Sequence, residues 1–93
     1  MSQQQRAHWL VSYDIAEPRR LARVFRHLKK AGTPVQYSVF SVPASHRQMK
    51  TLIAELALLV DKREDDVRAY RIPERSWQAT LGDAILPDGI LLS

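Results

Sequence analysis

Residues 8–32, HWLVSYDIAEPRRLARVFRHLKKAG, decide the architecture of this chain, because the apolar period changes there from two residues to 3.6. From His8 to Ile15 the residues alternate. Trp9, Val11, Tyr13 and Ile15 share one face, and His8, Leu10, Ser12 and Asp14 share the other, which predicts a strand. From Pro18 onward, Leu21, Val24, Phe25 and Leu28 recur at helical spacing. Pro18 suits the first turn and Gly32 the position just past the end, which predicts a helix. The large residues of the strand belong under helices, so Asp14 falls on the second sheet face at the strand's carboxyl end. That placement spares a carboxylate from burial among apolar neighbours, which is costly unless it meets water, a partner or a metal.

Downstream, TPVQYSVFSVPA (residues 33–44) places Val35, Tyr37 and Val39 in one phase and Phe40 and Val42 in the other. A bulge or a division into two short strands accounts for the slip, and the sequence leaves both open. Ser45 with Gln48 forms a capping-box pattern. Met49, Leu52, Ile53, Leu56 and Val60 then predict a second amphipathic helix to about residue 61, ended by the acidic run DKREDD. Val67 to Ile72 alternates again and is closed by Pro73, and a turn at Pro87 to Gly89 leads into a short apolar terminal strand. The order is strand, helix, one or two strands, helix, strand and an extra terminal strand. It predicts an α+β, ferredoxin-like βαββαβ sandwich forming a single domain over 1–93, with its core at about 8–73 and a C-terminal strand or tail at about 74–93.

Both helices then cover one sheet face. The other, bearing Leu10, Ser12, Asp14 and, in this reading, Ser38 and Phe40, is too apolar to stay wet, which points to a two-fold dimer bringing two Asp14 carboxylates near one axis. The chain's 93 residues make a small domain with a marginal core, and dimerisation would help it. It has no cysteine, which excludes disulfides and thiolate metal sites. No apolar run approaches the length of a membrane span and the N-terminus lacks a signal-like stretch, so a cytoplasmic location is expected.

The basic residues are concentrated rather than spread. Residues 17–32 carry six Lys or Arg and one Glu, a net +5 in a chain of net +4, so the rest sums to −1. Arg19, Arg23, Arg26 and Lys30 fall at steps of four, three and four, along one outer stripe of the helix without acidic partners. A solubilising face is the plain alternative to a phosphate-binding one. Trp9 and Tyr13, on the helix side of the sheet, are core residues rather than base-stacking ones, which weighs against a single-strand reader of the kind that exposes aromatics on its central strands. His8, His27 and His46 are scattered, with no companion at metal-ligand spacing.

Taken in order, YDI, the RR opening the first helix, LKKAG, VQYSVF, a second amphipathic helix and DDVRAYRI resemble the CRISPR-associated protein 2 family, from about Trp9 to Ile72. The resemblance implies a ferredoxin-like homodimer that bridges two dimers of the CRISPR-associated protein 1 integrase while spacer DNA is captured. Some members of the family are metal-dependent endoribonucleases or deoxyribonucleases, and others act as scaffolds. Carried over residue by residue, the resemblance makes Asp14 the metal position and Arg20 and Ser38 its catalytic companions. Of the residues after YDI, only Glu17 could assist Asp14. The segment from 74 onward matches the family loosely.

The chemistry is consistent with those assignments. Mg²⁺ keeps several waters and is satisfied by one or two carboxylates plus phosphate oxygens, so two Asp14 residues across a dimer axis suit it. Ser38 would orient a water or a phosphate by hydrogen bonding, and Arg20 would stabilise charge building on the phosphate. The structural alternatives are a helix cap or a salt bridge to Arg20 for Asp14, and an interface hydroxyl for Ser38. Arg19, Arg23, Arg26 and Lys30 would lie along a DNA duplex without reading its sequence. The expected function is therefore a spacer-acquisition subunit binding duplex DNA, with Mg²⁺-dependent cleavage of RNA or DNA as a further property. Single-stranded RNA is a second nucleic-acid partner on this reading. The competing readings are a toxin-like ribonuclease of related fold and a ferredoxin-like regulatory module, the latter lacking salt-dependent DNA affinity.

Overall fold

A computed structural model of the chain describes residues 6–73. The expected terminal strand lies outside the described residues. The elements are β1 (Arg6–Asp14), α1 (Pro18–Lys29), β2 (Thr33–Gln36), β3 (Val39–Ser45), α2 (His46–Ala57) and β4 (Asp66–Ile72). The sheet order is β2-β3-β1-β4, with β1 antiparallel to both β3 and β4. This is the expected α+β sandwich. Among the described residues, no helix is long and apolar enough to cross a membrane.

The alternation of β1 has the anticipated result. Trp9, Val11 and Tyr13 are buried against Val24 and Leu28 of α1 and Met49, Leu52 and Leu56 of α2. The Trp9 indole N–H donates to the Ala44 carbonyl at 2.9 Å, which satisfies its one polar atom inside the core. Ser45 caps α2 through a complete capping box with Gln48. That helix ends at Ala57, earlier than its apolar pattern suggests. Leu59 and Val60 still pack on the core, but from the turn beyond the helix, while Leu58 points outward.

Two short strands, not one bent strand, resolve the phase slip at 34–42. Tyr37 and Ser38 form the tip between β2 and β3, and a register irregularity between Pro34 and Gln36 takes up the extra residue. The chain reverses at the tip, so the phase of β2 does not carry into β3. Phe40 pairs with Val11 and sits in the helix-side core, against the expectation that it lies on the open face. Val39 takes that place and clusters with Leu10 and Ile72. Pro34 is tolerated because β2 is an edge strand, and Pro43 lies past the last β2–β3 pair, Thr33 with Ser41.

Gly32 answers to packing more than to helix termination. A β-carbon built there would stand 2.1 Å from the Ser41 carbonyl oxygen and 2.9 Å from Val42 Cγ2. The first obstacle is backbone, which cannot swing aside. Gly32→Ala is therefore expected to destabilise the fold by about 2–3 kcal/mol in urea unfolding, as overpacking does. An unchanged midpoint would show that β3 yields at no cost.

Candidate functional site

At the carboxyl end of β1 the chain turns into α1, and the residues singled out by the sequence gather around that corner. Asp14 is the last residue of the strand and is exposed. It pairs in register with Asp66, the first residue of β4, so the two carboxylates leave the same sheet face side by side. Neither structural alternative for Asp14 holds among the described residues. The cap of α1 is Glu17, whose Oε1 accepts the Arg20 N–H at 2.9 Å, and the partner of Arg20 is Asp65. Among the described residues, no hydrogen bond or ion pair engages the Asp14 carboxylate. Asp66 is bound by Arg68 Nε at 2.7 Å.

Glu17 is thereby withdrawn from assisting Asp14. Its carboxyl is held below its ordinary value, chiefly by the backbone N–H groups of Arg20 and Arg19. Asp66 is the carboxylate that the fold places beside Asp14. The sequence held a signal for this, since Val67 facing the helices puts Asp66 and Arg68 on the face of Asp14.

Arg20 is clamped. Its Nε donates to Asp65 Oδ2 at 2.7 Å, and its Nη2 donates to Asp65 Oδ1 at 3.2 Å and Glu64 Oε1 at 3.3 Å. The Asp65 side chain has no exposed surface. It also accepts the N–H groups of Ala16 at 2.9 Å and Asp61 at 2.8 Å. One carboxylate thus ties the β1–α1 corner, the first turn of α1 and the turn before β4 into one unit. The Arg20 guanidinium, with those backbone donors, holds the Asp65 carboxyl well below the usual carboxylate range. Read only as part of an acidic run, Asp65 gave no sign of this role, because Arg20 and Ala16 lie 45 and 49 residues away.

Ser38 is at the β2–β3 tip with φ of 63°, a left-handed conformation uncommon outside glycine. Its carbonyl accepts the Tyr13 N–H at 3.1 Å, which docks the tip against the end of β1 next to Asp14. Asp14, Ser38 and the Arg20–Asp65 clamp therefore share one end of the sheet. Arg19, Arg23, Arg26 and Lys30 are exposed along α1 and its C-cap, and no ion pair engages them among the described residues. Cations at the start of a helix oppose its dipole, and α1 has no acidic residue in its first turn to offset Arg19 and Arg20.

Among the described residues, no group of three or more His, Cys, Asp or Glu could hold a metal ion. The donors within one chain are two neighbouring carboxylates. These hard oxygen ligands fit a hydrated divalent cation such as Mg²⁺ and do not fit a soft or fully protein-enclosed one.

The chain is similar to known proteins over most of its length. The family model described as CRISPR associated protein Cas2 matches residues 7–80. A protein of Thermodesulfovibrio yellowstonii named CRISPR-associated endoribonuclease Cas2 2 is 44% identical over 87 residues, covering 91% of this chain and 94% of that protein. One of Nitrosomonas europaea, named CRISPR-associated endoribonuclease Cas2 1, is 39% identical over 90 residues, covering 97% and 86%. Among solved structures, Streptococcus pyogenes Cas2 superposes with a TM-score of 0.68 at 26% identity, over 77% of this chain and 92% of that one. A hypothetical protein from Thermus thermophilus superposes with a TM-score of 0.71 at 29% identity, over 73% and 83%. With a family model matching residues 7–80 and relatives 39% and 44% identical over most of the chain, the chain belongs to the CRISPR-associated protein Cas2 family.

Proposed function

We propose that the protein is a spacer-acquisition subunit that works in the cytoplasm as a homodimer, holds duplex DNA on its α1 stripes between CRISPR-associated protein 1 dimers, and cleaves phosphodiesters at paired Asp14 residues. The observation that carries the reading is the Asp14 carboxylate, exposed, unengaged among the described residues and set beside Asp66 at the end of a central strand. The relatives' endoribonuclease names support hydrolysis of RNA, and the free cationic stripe supports binding of duplex DNA. Leu10, Val39 and Ile72, with Val35 and Tyr70, form a second apolar cluster that is already buried within one chain, so the homodimer rests on the family resemblance.

On this reading Asp14 from each protomer, with Asp66 beside it, would hold a divalent cation. Such a cation, when bound, would supply a more acidic water and charge neutralisation at the phosphate. The Ser38 hydroxyl orients the phosphate or the attacking water. Arg20 keeps the corner rigid through Asp65 and Glu64, leaving Nη1 to donate to a phosphate oxygen. Asp65 acts only by position.

The test compares wild type with Asp14→Ala for Mg²⁺-dependent cleavage of RNA and DNA and, in the same preparations, for spacer integration with the integrase. Outer-sphere partners of a metal cost 10–100-fold when removed, so loss of the ligand is expected to reduce cleavage by about a hundredfold or more. Integration retained alongside lost cleavage assigns Asp14 to hydrolysis alone. Cleavage that survives in Asp14→Ala removes the aspartate from the mechanism.

A further inference from the structure

On the other side of the sheet from Asp14, α1 and the β2–β3 tip enclose an open groove of about 580 Å³, within the range of small-ligand sites. Its walls include Tyr13, Leu21, Phe25, Pro34 and Tyr37, and Arg26 also lines it. We propose that this groove is a nucleobase subsite that takes one unpaired base of a single-stranded nucleic acid, stacked on Tyr37, with the adjoining phosphate on Arg26. The inference rests on the nucleic-acid reading above and names the strand state that the site accepts.

Three observations support a base over other occupants. Tyr37 is 83% exposed, the greatest exposure of any aromatic ring among the described residues, and Phe25 beside it is 38% exposed. Flat apolar rings left open to solvent suit the face of a base, and every base has such a face. Tyr37 is also held in place. The next residue, Ser38, has φ of 63° and receives the Tyr13 N–H, so the tip is pinned to β1 and stacking need not order a loose loop. Below it, Phe25 is fixed edge-on against Phe40, with ring centroids 5.3 Å apart.

The electrostatics favour the same occupant. Among the described residues, no carboxylate lines the groove and Arg26 has no acidic partner. The groove opens beside the stripe of Arg19, Arg23 and Arg26, so a strand with a base in the groove leaves its phosphates among cations. Gln36, which also lines the groove, offers an amide to a base edge. A duplex has no free base to insert, so it is excluded from the groove while still able to lie on the stripe. The β1 end that carries Asp14 adjoins the tip, with the groove and Asp14 on opposite faces of the sheet.

The test is fluorescence anisotropy with a short labelled oligoadenylate and with a duplex of matched length, on wild type, Tyr37→Ala and Tyr37→Trp. Loss of one stacked base is expected to weaken single-strand binding in Tyr37→Ala by roughly ten- to a hundredfold. Tyr37→Trp should restore it, and duplex binding should be the same in all three. A 2-aminopurine probe should be quenched by wild type and not by Tyr37→Ala. Tyr37 is exposed at a tip, so its replacement leaves the core intact, and far-ultraviolet circular dichroism checks this. Single-strand affinity unchanged in Tyr37→Ala overturns the subsite, as it would if a protein segment filled the groove instead. Equal loss for duplex and single strand also overturns it. Wild type that binds neither probe overturns the nucleic-acid reading itself, an outcome distinct from both.

Discussion

Asp65→Asn is expected to lower the melting temperature at neutral pH by roughly 10–20 °C, the largest stability effect of any exchange at the sheet end. Aspartate accepts four donors at this position, two from Arg20 and two from backbone N–H groups, with its side chain fully enclosed. Asparagine must turn an NH₂ group toward one of them, donor against donor, and it leaves the largely covered Arg20 cation without its main counter-charge. Removing one member of a buried pair is strongly destabilising, and in a domain of this size that amounts to a shift of the stated order. The acid limb of stability should change with it. Asp65 gives up its proton more readily in the folded chain than in the unfolded one, where its ordinary value is 3.8. Its contribution is therefore complete above that value and drains away as the pH falls below it toward the depressed folded value. Glu17 acts in the same direction from its ordinary value of 4.5. Melting curves from pH 7 to 3 should show wild type steady at first and falling below about pH 4. Asp65→Asn should start lower, fall less and converge on it. Two parallel curves would mean that another group governs the acid limb.

Reversing Arg19, Arg23 and Arg26 to glutamate is expected to weaken duplex binding at least a hundredfold at about 0.1 M salt. In the proposed dimer, four cations on each α1 neutralise eight phosphates, so log K should fall against log salt with a slope of roughly −7 in wild type. With only the two Lys30 residues left, the slope should flatten to roughly −2. The fold should survive, because all three side chains are exposed and glutamate in the first turn of α1 suits the helix dipole better than Arg19 does. That local preference makes the experiment discriminating. A stripe that only solubilises would leave the slope near its wild-type value, whereas loss of a binding stripe flattens it while the helix is kept. An unchanged slope would remove α1 from the DNA path.

The two expectations differ in how far the residue order carries them. The stripe is a local property. Cations three and four residues apart must share a helix face, so spacing alone lines up Arg19, Arg23, Arg26 and Lys30. Trp9, Val11 and Tyr13 lie under the helices for the same kind of reason, since a strand sorts its side chains by parity. Asp14 on the open face follows from that parity too. Phe40 shows where the argument fails. Parity carries along a strand only while the chain keeps its direction, and the reversal at Tyr37 and Ser38 cuts the count that would put Phe40 beside Asp14.

Periodicity and capping patterns were thus sufficient for the order of elements, the two helix starts, the helix-side core of β1 and the cationic face, because each depends on residues within a turn or two of one another. Tertiary structure alone decided that Arg20 is spent on Asp65, that Asp66 and not Glu17 stands beside Asp14, that Gly32 makes room for β3, and that Tyr37 faces an open groove. Each of these joins segments far apart in the chain. Charge and size can be read from a residue, but the partner it meets is set by which strands lie side by side, and that follows from burying the whole core at once.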